Sequence, residues 1–135
     1  MIAHHPSEAT LAAYAAGTLA EALALVTKAG IAGEKLVEVM QSSMARAGVL
    51  DVKAPTMLKN EYPASFPLRL MHKDIRLALE LAKREGMDLP AASAAFATYS
   101  AVKDASKDDP DYAAVARFWN KSGLAATAGK PEGKS

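Results

Sequence analysis

The sequence predicts an all-α fold, a helical bundle with short connections. Alanine is the commonest of its 135 residues and aromatic residues make up only 6%, a composition that favours helix over sheet. Apolar residues recur three and four apart along most of the chain, and no alternating run is long enough for a strand. Glycine and proline fall between these periods, where helices end and begin.

The first helix opens at Pro6-Ser7, with Ser7 as its N-cap and Glu8 favourably placed in the first turn. Leu11, Tyr14, Ala15, Leu19, Ala22, Leu23 and Val26 form its apolar ridge, and Ala12, Ala16, Ala20 and Ala24 an opposite face small enough for another helix to approach closely. Gly30 ends it after Lys28. A second helix is expected from about Gly33 to Ala47, with Leu36, Val39 and Met40 inward and Gly48 as its stop. Ala54 to Asn60 reads as a short helical segment begun by Pro55, and Pro63 and Pro67 fix a loop over 61–67. A third long helix covers about Leu68 to Glu85 on the ridge Leu68, Met71, Ile75, Ala78, Leu79 and Ala82, with Arg76 and Glu80 paired four apart. Pro90 opens a helix that ends near Ser106, and Asp109-Pro110 caps a last one carrying Tyr112, Val115, Phe118 and Trp119. The expected organisation is one helical domain over residues 1–121 and a disordered tail over 122–135, where Gly, Ala, Lys, Pro and Ser leave no apolar anchor beyond Leu124.

Sixteen Lys and Arg against fifteen Asp and Glu leave a net charge of +1, which argues against nucleic acid or a charged membrane surface as partner. The absence of cysteine excludes disulfide scaffolds, thiol catalysis and Cys-based zinc sites. The longest uncharged run, the 14 residues Leu89 to Val102, is too short to span a bilayer, and the N-terminus lacks the basic start of a signal peptide. A soluble, cytoplasmic chain is the expectation. No phosphate-cradling glycine loop occurs; Gly30-Ile31-Ala32-Gly33 reads as a helix–helix turn. His4 and His5 are adjacent at one end and His72 stands alone, so no metal site is expected.

His72-Lys73-Asp74 is the most informative polar cluster, because it begins a helix after the 61–67 loop. A lysine near a helix N-terminus is electrostatically out of place. It either marks a bound phosphate or carboxylate, held by amides and ammonium together, or is a surface lysine satisfied by Asp74 or another carboxylate. Ser42, Ser43 and Arg46 form either a second polar pocket or an ordinary capped helix end.

Leu19-Ala20-Glu21-Ala22-Leu23-Ala24-Leu25 with Lys28-Ala29-Gly30, Ser42 to Leu50, Pro55-Thr56-Met57-Leu58, Phe66-Pro67-Leu68-Arg69-Leu70-Met71-His72-Lys73-Asp74, Leu77 to Ala82, Gly86 and Leu89-Pro90 follow one another in an order that resembles the C-terminal domain of the β-hydroxyacid (3-hydroxyisobutyrate) dehydrogenases. The likeness covers about residues 19–120, and the Phe66 to Asp74 stretch is its most specific part. It implies an all-helical domain similar to the C-terminal fold of 6-phosphogluconate dehydrogenase, with NAD or NADP lying between it and a Rossmann domain. Lys73 would reach that cofactor, Phe66 would line the same cleft, and Asp74 would orient or neutralise the lysine.

The departures matter as much. There is no Rossmann domain in this sequence, and the family's catalytic lysine and asparagine fall at about His5 and Ala9, of which the alanine can do no polar work. The resemblance therefore implies a truncated or stand-alone substrate and oligomerisation domain, non-catalytic alone, which either meets a separate Rossmann partner or serves as a non-enzymatic helical interaction module. In either case a homodimer or higher oligomer is expected, through apolar surface that a Rossmann domain would otherwise cover. A second, narrower likeness links residues 4–26 to the opening of zinc-binding anti-sigma factors that carry a cupin domain, through His4-His5-Pro6-Ser7 and Leu11 to Leu19. The two cysteines of such a zinc site are missing here, so the likeness reflects either a splice of two sequences or chance in an Ala-rich helix.

Overall fold

Among the described residues there are five α-helices and one 3-10 helix: α1 (Pro6–Lys28), α2 (Gly33–Gln41), α3 (Gly48–Lys59), α4 (Leu68–Arg84), α5 (Pro90–Ala105) and η1 (Tyr112–Phe118). The computed structural model describes residues 5–120, with the side chain of Ser7 excepted; His4 and the tail expected over 122–135 lie outside the described residues. Among the described residues there is no sheet, only an isolated antiparallel bridge between Pro67 and Asp111.

α1 is the axis of the bundle and packs against every other helix. Pro6 takes its first position, where a missing N–H costs nothing, so Ser7 lies inside the first turn instead of capping it. The face turned inward is Ala13, Ala16, Leu19, Ala20 and Leu23, while Leu11 is 67% and Leu25 70% exposed. The core stripe is thus rotated from the expected ridge toward the small side. The close approach it allows is visible in Tyr99, fully buried on α5, whose Oη donates to the Ala13 carbonyl at 3.2 Å. By length and mean hydropathy (1.5) the segment Glu8–Lys28 is apolar enough to cross a membrane, yet this inward stripe is spent on the other helices.

The α1–α2 turn forms as expected: Gly30 has φ +89°, and the Ile31 amide returns to the Val26 carbonyl at 2.8 Å. Gly33 then lets α2 lie close, since a Cβ there would stand 2.8 Å from Leu58 Cδ2 and 3.2 Å from Leu23 Cδ2. α2 stops at Gln41, not Ala47. The Ser42 and Ser43 hydroxyls bond back to the Glu38 and Met40 carbonyls at 3.3 and 2.9 Å, and Ser43 Oγ also accepts from the Ala45 amide. Such local bonds compete with helix propagation. Val39, expected inward, is 66% exposed, and α2 has no buried residue.

Gly48 opens α3 instead of ending α2, and Pro55 falls inside that helix. α4 runs as predicted, with Leu68, Met71, Ile75, Ala78 and Ala82 buried and Lys83 and Arg84 in its last turn. α5 begins at Pro90. The last element is a 3-10 helix, and its N-cap is Asp111, not Asp109-Pro110: the Asp111 side chain accepts from the Ala113 amide.

Ile75 is fully buried at the centre of α4 whereas Leu11 is mostly exposed. Ile75→Ala should therefore cost about 3 kcal/mol, and Leu11→Ala should stay within about 0.5 kcal/mol of the parent. Urea unfolding midpoints check both; equal midpoints for the two variants would contradict this assignment of the core.

Candidate functional site

The densest polar constellation is one the sequence reading passes over. Lys53 on α3 and Asp111 ahead of η1 are both buried, and Lys53 Nζ lies 2.8 Å from Asp111 Oδ2. Asp111 Oδ1 accepts from the Ser65 amide (3.1 Å), the Ser65 hydroxyl (3.1 Å) and the Phe66 amide (3.0 Å), and Oδ2 accepts a second bond from the Ala113 amide (2.9 Å). Lys53 Nζ also donates to Ser65 Oγ at 3.2 Å and sits 4.4 Å above the Tyr112 ring. Burial pushes the Asp111 carboxyl up, but the hydrogen bonds from Lys53 and from the Phe66, Ala113 and Ser65 amides outweigh it and hold the group below its usual 3.8. The signal for Lys53 was available: with Leu50, Ala54 and Met57 it occupies the buried face of α3, a lysine within an apolar stripe. Nothing near Asp111 in sequence separates it from its neighbours Asp108 and Asp109.

Backbone bonds extend the constellation. The Asp111 amide donates to Tyr62 O, the Tyr112 amide to Phe66 O, and the Leu68 amide to Pro110 O at 2.8 Å. The 61–67 loop is thereby strapped along residues 110–112, and Phe66 is half-buried with its ring edge-on to Tyr112 at 6.2 Å.

Lys73 lies on the second turn of α4 and is exposed. Among the described residues it forms no ion pair or side-chain hydrogen bond, so the expected pairing with Asp74 is not made. At the start of α4 the Leu68, Leu70 and Met71 amides already donate to the Pro110 and Pro67 carbonyls. What remains is a free ammonium on a rigid helix. His5 precedes α1 and is half-buried, and its carbonyl accepts from the Glu8 amide; Ala9 is likewise half-buried. Arg46 pairs with Asp51 at 3.1 Å, which leaves the Ser42–Ser43 region an ordinary helix end.

His72, beside Lys73, bridges α4 to α5. Its Nε2 is 2.8 Å from Ser100 Oγ and its ring stacks on Phe96 at 4.5 Å. Partial burial, then Lys103 and Arg76, lower its pKa from 6.5 against the opposing effect of Asp104.

Two clefts border Trp119. One, about 300 Å³, runs between α1 and α5 past Tyr14, Gly17 and Tyr99. The other, about 490 Å³, lies between α1, α2 and α3 past Leu23, Met57 and Tyr62. Burial raises the Tyr62 pKa to about 12. Lys73, Phe66 and Asp74 line neither cleft.

Comparison with known proteins places this arrangement. The family described as "NAD-binding of NADP-dependent 3-hydroxyisobutyrate dehydrogenase" matches residues 8–119. The chain is 38% identical over 98 residues to glyoxylate/succinic semialdehyde reductase 2 of Arabidopsis thaliana, covering 73% of this chain and 27% of that protein. It is 28% identical over 115 residues to 2-(hydroxymethyl)glutarate dehydrogenase of Eubacterium barkeri, covering 84% and 38%. A 3-hydroxyisobutyrate dehydrogenase structure from Salmonella typhimurium superposes with a TM-score of 0.79 at 23% identity over 84% of this chain and 40% of that one. The chain thus spans well under half the length of these relatives. Because the family match runs through residues 11–19, the likeness to anti-sigma factors is not borne out; among the described residues no group of three or more His, Cys, Asp or Glu is placed to hold a metal ion.

Replacing Lys53 by Met would leave the Asp111 carboxylate buried without its ammonium. We expect about 3–5 kcal/mol of destabilisation near neutral pH, with the penalty shrinking as pH falls and Asp111, no longer held low by the ammonium, protonates. Denaturant titrations of the variant and parent across pH 3–7 check this; a penalty independent of pH would refute it. The depressed His72 pKa means its neutral form is favoured by folding. Stability from this group is complete above about 6.5 and lost as pH falls through the lower folded value, and His72→Gln should remove that part of the decline.

Proposed function

The chain belongs to the NADP-dependent 3-hydroxyisobutyrate dehydrogenase family, and from that premise we propose that it acts as the helical half of an NAD(P)-dependent β-hydroxyacid dehydrogenase. The cofactor, when bound, supplies hydride transfer to and from the hydroxyl-bearing carbon of a β-hydroxy acid. This chain's own contribution is to bind and orient. Lys73 offers an ammonium toward the negatively charged dinucleotide, and Phe66 offers one edge of an apolar wall. The observation that carries this reading is the state of Lys73: it stands on α4 within the chain's most family-like stretch, exposed and unpaired among the described residues. A cation left without a carboxylate suits a phosphate or carboxylate ligand.

Proton transfer is not assigned to this chain. The resemblance puts the family's catalytic lysine and asparagine at about His5 and Ala9, and on that basis we propose that the chain is not catalytic alone and that a Rossmann domain completes the cleft. The second reading, a non-enzymatic module that pairs with its own copies, is favoured by the exposure of Leu11, Leu25, Val39 and Met44.

Titrating NADH and NADPH against the purified chain, followed through Trp119 fluorescence and calorimetry, tests the leading reading. Saturable binding is expected, and Lys73→Ala should abolish it while leaving the melting temperature within about 1 °C, as for an exposed unpaired side chain. Undiminished binding by that variant would remove Lys73 from the site. Light scattering at micromolar concentration should give the mass of a dimer or larger assembly, and a monomer mass would end the self-association reading.

A further inference from the structure

The buried Lys53–Asp111 pair has features that stability alone does not call for. A buried ion pair roughly breaks even against hydrophobic residues of the same volume, and its neighbours are Leu50, Ala54, Met57 and Tyr112. What the pair supplies is direction. Asp111 collects five donors from three places: Lys53, 58 residues away, Ser65 and Phe66, 46 and 45 residues away, and Ala113 in η1. Three of those five belong to Ser65 and Phe66, in a loop where Pro63, Ala64 and Ser65 are exposed and little packing holds the backbone. The same loop leads directly into α4, whose first amide is fixed to Pro110.

We propose that Asp111, supported by Lys53, is a positioning residue for dinucleotide binding: it fixes the Phe66 backbone and the start of α4, and through them the placement of Phe66 relative to Lys73. This rests on the reading of Lys73 and Phe66 given above. Neither Asp111 nor Lys53 touches the cofactor. Their effect passes through the strap, whose displacement would move the Phe66 wall while leaving the Lys73 ammonium in place. An error of about an ångström in such a contact is enough to weaken it strongly.

The test compares the parent chain with Asp111→Asn, Ser65→Ala and Lys73→Ala. Asn keeps the size of Asp111 but turns one acceptor into a donor that must face either Lys53 or the strap amides. Affinity for NADPH and NADH is measured by calorimetry at a temperature where circular dichroism shows each variant folded, and amide exchange is followed at Ser65 and Phe66. We expect Asp111→Asn to speed exchange at both amides and to raise Kd about tenfold. Ser65→Ala, which alters an exposed side chain and buries no new charge, should raise Kd about threefold and decides the matter if Asp111→Asn does not fold. Lys73→Ala should lose binding with exchange unchanged. A merely structural role would lower the melting temperature of the Asp111 and Ser65 variants without moving Kd. Fast strap exchange with parental affinity therefore overturns the positioning role and leaves Lys73 in its place. A parent chain that binds neither dinucleotide overturns the cleft reading and this proposal together.

Discussion

Burying the Asp111 carboxylate beside the Lys53 ammonium removes two charges from water, and the geometry at this end of the bundle follows from how that cost is met. Desolvation of such a pair is offset only when the remaining lone pairs and protons find partners. Asp111 finds them in the amides of Ser65, Phe66 and Ala113 and in the Ser65 hydroxyl, and the ammonium takes Ser65 Oγ and the Tyr112 face. Those amides belong to a loop without secondary structure and to the first turn of η1, both of which would otherwise present unpaired donors. One interaction thus ties α3, the strap, the start of α4 and η1. It also fixes where η1 begins, because the carboxylate that caps it is already held by the rest of the site.

The other constraint is volume. α1 meets the other four α-helices and η1, and alanine at 13, 16 and 20 lets them approach closely. Close approach is then used twice, once where Tyr99 reaches the Ala13 carbonyl and once where Gly33 seats α2 against Leu23 and Leu58. Leu19 and Leu23 share α1's inner face, whereas its other leucines do not. Leu11 and Leu25 stand in solvent, and Ala13 and Ala20 each reach one of the two clefts beside Trp119.

The sequence made the long helices plain and the short ones obscure, for a physical reason. α4 and α5 have uninterrupted periodicity, α4 stopping just before Gly86 and α5 starting at Pro90, so local signals and packing agree. Between residues 42 and 55 they do not. Serine hydroxyls that bond to nearby carbonyls ended α2 early, a glycine that usually stops a helix began one, and a proline that usually begins one fell inside α3. For the site, Phe66, Lys73 and Asp74 could be named from the motif they share with the dehydrogenases, and Lys53 only from its place in an apolar stripe. Asp111 could not be found that way, because what distinguishes it from Asp108 and Asp109 is partners 46 and 58 residues away. Asp108 and Asp109 instead meet Arg117 and Arg69 nearer the surface.

Lys53 and Lys73 show how one residue type serves two ends. Lys53 sits where its charge is wholly committed: a carboxylate at 2.8 Å, a hydroxyl at 3.2 Å and an aromatic face leave it nothing to offer a ligand. Lys73 stands a short distance along the chain beyond the strap that Lys53 helps to fix, exposed, on a helix whose Leu68, Leu70 and Met71 amides are already bonded. A ligand arriving at Lys73 would therefore meet a solvated charge and gain little from those amides. Binding through such a charge is weak unless other surfaces close around the ligand, since an exposed ammonium is well solvated and screened. On the proposed reading, Lys73 and Phe66 therefore need a second surface opposite them to hold a dinucleotide.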